Sequence, residues 1–170
     1  MKKVVAVGGL SGSGKSFLAK LLSERFGYRW IRSDVIRKEL AGIPLEKSAK
    51  ALFGKGIYTE EMTRRVYGEM IRRAKEHLKR GEKVVLDATF LKRWQRELLK
   101  ELGEVLFLWL EAPEEVVKER LKRRRDVSDA DFSVYLEQKR RVEEPEGAVR
   151  LRTDRPPEEL LKEVEALLSG

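Results

Sequence analysis

The sequence has no cysteine and no asparagine, a single histidine, His77, and only two glutamines, Gln95 and Gln138. Without cysteine there are no disulfides, no thiolate nucleophile and no Cys-based zinc site, and one histidine cannot build a His-dependent triad or a His-cluster metal centre. No apolar run approaches the roughly eighteen residues that a membrane span needs. Met1-Lys2-Lys3 is followed by only four apolar residues before glycine, too few for the hydrophobic region of a signal peptide. These absences predict a cytoplasmic chain with no membrane partner, and no obligate protein partner is evident.

What is present is charge: 37 Lys+Arg against 29 Asp+Glu, net +8, in 170 residues of which 41% are hydrophobic. That hydrophobic share excludes a disordered chain, and the length suits one compact domain over residues 1–170. Abundant Lys, Arg and Glu with scarce amides is a pattern of chains that work hot, so a thermophilic source or a stability-engineered sequence is expected. The positive balance serves either a polyanion or phosphate-rich small ligands, and charge alone does not choose between them.

Strand-like and helix-like segments alternate along the chain. Lys3 to Val7, Tyr28 to Arg32, Lys83 to Leu86, Val105 to Leu110 and Gly147 to Arg152 read as five strands. Helical segments follow each of them. Phe17, Leu18, Leu21 and Leu22 repeat at helical spacing, Ser33 or Asp34 caps a short helix over Val35 to Leu40, and Thr59 caps a long one ended by Gly81. Further helices are expected over Arg93 to Leu102, Glu114 to Arg124, Asp131 to Arg141 and Pro157 to Leu168, with a break at Asp126 to Ala130. Residues 41–58, with Gly42, Pro44, Gly54 and Gly56, look irregular and suggest a substrate-binding insertion. Alternation of this kind predicts an α/β fold, a three-layer αβα sandwich around a five-stranded parallel sheet.

Gly9-Leu10-Ser11-Gly12-Ser13-Gly14-Lys15-Ser16 matches G-x-x-x-x-G-K-[ST] and lies between an apolar strand and a helix, the context that gives this motif its meaning. Its glycines let backbone N–H groups converge on phosphate oxygens at a helix N-terminus. Gly12, Ser13, Gly14, Lys15 and Ser16 are therefore the expected nucleotide cradle, with Lys15 on the β/γ-phosphates and the Ser16 hydroxyl on Mg²⁺. The absence of asparagine excludes the Asn-Lys-x-Asp guanine reader of GTPases. ATP and Mg²⁺ are the expected cofactors.

Together with this loop, Arg32-Ser33-Asp34-Val35-Ile36-Arg37-Lys38, Val85-Leu86-Asp87-Ala88-Thr89-Phe90 and Ser128-Asp129-Ala130 resemble the broad family of small P-loop kinases. That group includes zeta toxin, the gluconate, shikimate and adenylylsulfate kinases, chloramphenicol phosphotransferase and polynucleotide 5′-kinase. The resemblance implies a nucleoside-monophosphate-kinase-like fold with an arginine lid, here residues 118–131. It implies that Asp34 receives the acceptor hydroxyl's proton and that Arg124, with Arg120 in an Arg-x-x-x-Arg pair, packs on the nucleotide or clamps the transferring phosphoryl group. Arg37, one helical turn after Asp34, reaches the same face and suits an acceptor phosphate. Asp87 ends the third strand and either ligates Mg²⁺ or holds the acceptor.

Thr89, Arg93 and Arg96 follow as candidates for the acceptor site, and Thr153, with Arg155, as a candidate beside the adenine. Tyr58, Tyr67 and His77 carry no role in this reading, and Trp30, Trp94 and Trp109 read as core or groove residues. The sum predicts a kinase that moves the γ-phosphoryl of Mg·ATP to a hydroxyl, first of a small metabolite. A nucleic-acid 5′-hydroxyl is the alternative acceptor, and a non-catalytic ATP switch or polyanion-binding module the alternative function.

Overall fold

The computed structural model describes residues 1–42, 59–123 and 129–170. The insertion predicted over 41–58, apart from Ala41 and Gly42, lies outside the described residues, as do positions 124–128 of the predicted lid, Arg124 among them. Five strands, β1 (Val4–Gly8), β2 (Arg29–Arg32), β3 (Val84–Asp87), β4 (Leu106–Glu111) and β5 (Val149–Arg152), form one sheet in the order β2-β3-β1-β4-β5. Every pairing is parallel. The α/β reading of the sequence is the observed architecture.

Burial explains which strands are central. β1 and β3 are buried at every position, while the edge strands β2 (RWIR) and β5 (VRLR) expose arginine side chains. Charged edges block pairing with another sheet. Alternation within β1 splits the core in two. Val4 and Ala6 face α2 (Ser33–Ala41) and α3 (Glu60–Lys79) through Ile36, Val66, Met70 and Ala74. Val5 and Val7 face α1 (Lys15–Phe26) and α7 (Pro157–Ser169) through Leu18, Leu22, Leu160 and Leu168. Among the described residues three further helices complete the order: α4 (Arg93–Glu97), continued by a 3₁₀ turn over Leu98–Leu102, α5 (Glu114–Arg123) and α6 (Asp129–Arg141).

Local details depart from expectation at three places. Arg32 occupies the N-cap of α2 without a side-chain hydrogen bond, so Ser33 and Asp34 are first-turn residues and not caps. Asp129 and Ala130 belong to α6 and not to a break. Phe17 is half exposed, and Ala19 takes the inward place beside Leu18 and Leu22. Thr59 does cap α3, its side chain accepting from Met62 N at 3.1 Å. Among the described residues no helix is long and apolar enough to cross a membrane.

Candidate active site

The loop between β1 and α1 sits at the carboxyl end of the sheet beside β3 and β4, where parallel α/β folds place ligands. Gly9, Gly12 and Gly14 have φ of 145°, 79° and 103°. A Cβ on Gly9 would stand 2.6 Å from Ser13 Oγ and 2.7 Å from Leu110 O, so that backbone path admits only glycine. Gly14 is the N-cap of α1 and provides no side-chain cap. The first N–H groups of a helix need partners, and an uncapped terminus behind a glycine cradle suits a phosphate. Glycine at the cap and the close approach of its neighbours are thus the observations that fit this loop to a nucleotide.

Lys15 Nζ donates to Leu10 O at 2.9 Å, which folds the ammonium back over the loop. The Ser16 hydroxyl donates to Asp87 Oδ2 at 3.0 Å, joining the start of α1 to the end of β3. Trp30 Nε1 donates to the same oxygen at 3.1 Å, and Arg32, whose guanidinium lies 4.5 Å from the Trp30 ring centroid, approaches it at 4.0 Å. Asp87 is 5% exposed. Burial pushes its carboxyl above the usual aspartate range, against the opposing pull of the Lys15 charge and the Trp30 and Ser16 hydrogen bonds. Ser16 and Asp87 form an oxygen pair of the kind that suits a hard divalent cation shared with phosphate oxygens.

On the other flank, Asp34 and Arg37 stand one turn apart on α2. Arg37 is 8% exposed, not solvated, and its Nη1 donates to Thr63 Oγ1 on α3 at 3.1 Å. One turn along α3, Tyr67 OH accepts from Phe90 N at 3.0 Å and lies 3.5 Å from Thr89 Oγ1. Burial raises the Tyr67 phenol, which also feels the charges of Arg37 and Asp34. Phe90 has φ 49°, a left-handed backbone rare for a bulky residue. Thr89 O in turn accepts from Gly9 N at 3.2 Å, so this wall and the glycine loop share a backbone contact. Tyr67 is the member the sequence did not announce. Its place in α3 follows the apolar spacing of Val66, Met70 and Ala74, and nothing local distinguishes it from a core aromatic.

Several candidates turn out to be engaged with the protein itself. Arg96 donates to the carbonyls of Phe90, Leu91, Glu143 and Glu144 and so ties two loops together instead of lining an acceptor site. Arg93 is exposed at the start of α4, where its backbone N–H, and not its guanidinium, donates to Glu143 Oε1 at 2.7 Å. Thr153, 8% exposed, donates to Ser13 O at 2.7 Å and accepts from Arg120 Nη1 at 3.0 Å, which places it against the loop. Arg120 also donates to Gly12 O at 3.0 Å and Thr153 O at 2.7 Å. Its charge is met by carbonyl and hydroxyl oxygens, and burial pushes its pKa down. The Ser13 hydroxyl is buried with no hydrogen-bond partner among the described residues. Arg155 pairs with Glu163 at 2.7 Å.

A family model described as an AAA domain matches residues 4–145. The chain is 31% identical over 135 residues to the cytidylate kinase of Methanocaldococcus jannaschii, covering 77% of this chain and 68% of that one. It is 30% identical over 142 residues to the shikimate kinase of Microcystis aeruginosa, covering 78% and 68%. An uncharacterised protein of Mycobacterium tuberculosis is 32% identical over 88 residues, 52% of this chain, and there the match spans only 18% of the relative's length. Among solved structures, a gluconokinase from Sinorhizobium meliloti superimposes with a TM-score of 0.70 at 27% identity, covering 98% of this chain and 91% of that one.

Proposed function

Because the chain belongs to the AAA-domain family of small P-loop kinases, we propose that it transfers the γ-phosphoryl of Mg·ATP to a hydroxyl group of a small metabolite. The observation that carries this reading is one corner holding an uncapped glycine cradle, the Ser16–Asp87 pair and the Asp34–Arg37 turn. A sensor needs the first of these and has no use for the last.

In this reading Gly12, Ser13, Gly14 and Lys15 hold the nucleotide phosphates, and Arg120 places a positive charge beside the loop. Ser16 and Asp87 are the residues that would hold Mg²⁺, which would supply neutralisation of phosphate charge. Asp34 accepts the proton of the attacking hydroxyl, and no covalent enzyme intermediate is needed. Arg37, braced by Thr63, binds an anionic substituent of the acceptor, with Tyr67 and Thr89 shaping the same wall. Thr153 supports the loop from behind. Arg124 remains the residue assigned to the phosphoryl clamp.

The test is transfer of label from γ-labelled ATP with Mg²⁺ to a mixed pool of sugars, polyols and hydroxy acids, run beside a 5′-hydroxyl oligonucleotide. Label in the pool supports the reading. Label only in the oligonucleotide replaces the acceptor by a nucleic-acid end, which a net charge of +8 also suits, and transfer should then fall steeply with salt. Bound ATP with label in neither favours a switch.

A further inference from the structure

One peptide of the glycine loop is held at both ends. Leu10 O accepts from Lys15 Nζ at 2.9 Å and from Ser13 N at 3.1 Å. The N–H of the same Leu10–Ser11 peptide donates to Gln138 Oε1 at 2.8 Å. Gln138 lies on α6, 127 residues away in sequence, so the loop's own turn does not supply this contact. A backbone N–H can be met only by the amide oxygen, which fixes how the side chain serves the loop. The other glutamine behaves alike: buried Gln95 accepts from Lys92 N at 3.1 Å.

The helix that presents Gln138 is itself tied to the loop. Tyr135 of α6 packs with Val117 and Leu121 of α5, and the Leu10 side chain packs against that cluster. Lys139 pairs with Glu114 at the start of α5 at 3.2 Å. From α5, Arg120 holds Gly12 O, two peptides beyond the clamped one. The loop is thus gripped through backbone atoms by side chains from both α5 and α6. Turning the Leu10–Ser11 peptide would carry away the carbonyl on which the Lys15 ammonium rests.

We propose that Gln138 is a positioning residue for Lys15: by holding the Ser11 N–H it fixes the Leu10 carbonyl that docks the ammonium, and so links α6 to the charge that meets the terminal phosphates. This rests on the nucleotide reading above. Gln138 touches neither nucleotide nor acceptor in this role. It acts through one peptide plane.

The experiment compares the full chain with Gln138→Met, of similar length but unable to accept from an N–H, and Gln138→Glu, which keeps an acceptor oxygen. Amide hydrogen exchange is read at Ser11 and at Val142, whose N–H bonds to the Gln138 carbonyl at 2.9 Å and reports the integrity of α6. Binding of a non-hydrolysable ATP analogue is read in parallel. In Gln138→Met, Ser11 exchange is expected to rise about tenfold with Val142 unchanged, and analogue affinity to fall about fivefold. Gln138→Glu is expected to retain Ser11 protection. Unchanged Ser11 exchange in Gln138→Met, equal loss at Val142, or unaltered analogue affinity would each overturn the proposal alone. A wild-type chain that does not bind the analogue overturns the nucleotide reading as well.

Discussion

On the side of the site proposed for the nucleotide, consecutive residues from Gly9 to Ser16 form the cradle. The proposed acceptor side draws Asp34 and Arg37 from α2, Thr63 and Tyr67 from α3 and Thr89 from the loop after β3. The first is fixed by covalent neighbourhood and by backbone conformations that only glycine tolerates. The second exists only once two helices have packed on the sheet, and its arginine is ordered by a threonine 26 residues away. A phosphate-binding surface made of main chain tolerates little change, whereas a wall made of side chains from separate elements can be altered residue by residue. That difference is how one fold can keep its nucleotide and change its acceptor.

The largest effect that would break this division comes from Lys15→Ala. Transfer should fall by about three orders of magnitude or more, since a preorganised charge on the phosphates is lost. Nucleotide affinity should drop while the melting temperature stays close to wild type, because the ammonium docks on the loop carbonyl at the site and not in the core. Calorimetric titration with ADP and a melting curve check both halves.

Tyr67→Phe addresses the other side. Removing the phenol oxygen leaves the Phe90 N–H without its partner, at a cost of about 1–3 kcal/mol. Melting should shift down, and the KM for the acceptor should rise with nucleotide affinity held. Equal losses for nucleotide and acceptor would mean that the two sides are not separable.

A smaller effect is expected from Thr153→Val, which removes the hydrogen bond to Ser13 O, worth about 1 kcal/mol, and one of the two acceptors of Arg120 Nη1, which keeps Gly12 O. Here ADP should bind several-fold more weakly and the acceptor KM should not move, the mirror image of the tyrosine variant.

The smallest concerns acid. Glu69 on α3 is held at about 2, below its usual 4.5, first by hydrogen bonds from Arg72 and Arg73, and Arg73 also reaches Glu39 of α2 at 2.8 Å. A carboxylate lowered in the folded state adds stability above its unfolded pKa and loses it as the pH falls through the folded one. The α2–α3 wall should therefore weaken between pH 4.5 and about 2. Contacts behind the glycine loop, made by carbonyls, a hydroxyl and Arg120, do not titrate there. Because these ion pairs are exposed, the loss is modest. Amide exchange of α3 at pH 5 and pH 3 reads it.

The same contrast explains what the sequence disclosed. The glycine loop, the buried strands and the placing of Asp34 and Arg37 on one helical turn are local: a fixed spacing, an apolar run, an i,i+3 pair. Tyr67 and Gln138 act through partners 23 and 127 residues away, and each carries the same signature as an ordinary core or surface residue. Arg96 misled in the opposite sense. A helix-surface arginine near the third strand suggested an acceptor contact, and its guanidinium instead binds four carbonyls from two loops. Long-range hydrogen bonding leaves no period to read.

Asp34→Asn separates the chemistry from both binding steps, since the amide keeps the shape and cannot take a proton. Transfer of γ-label to the acceptor, measured beside ADP affinity and acceptor KM, tests the central claim most directly. A loss of about 10²-fold or more in kcat with both affinities within a few-fold of wild type is the predicted result. Transfer at the wild-type rate would contradict a proton-accepting Asp34 and, with it, the division of this site into a cradle and a catalytic wall.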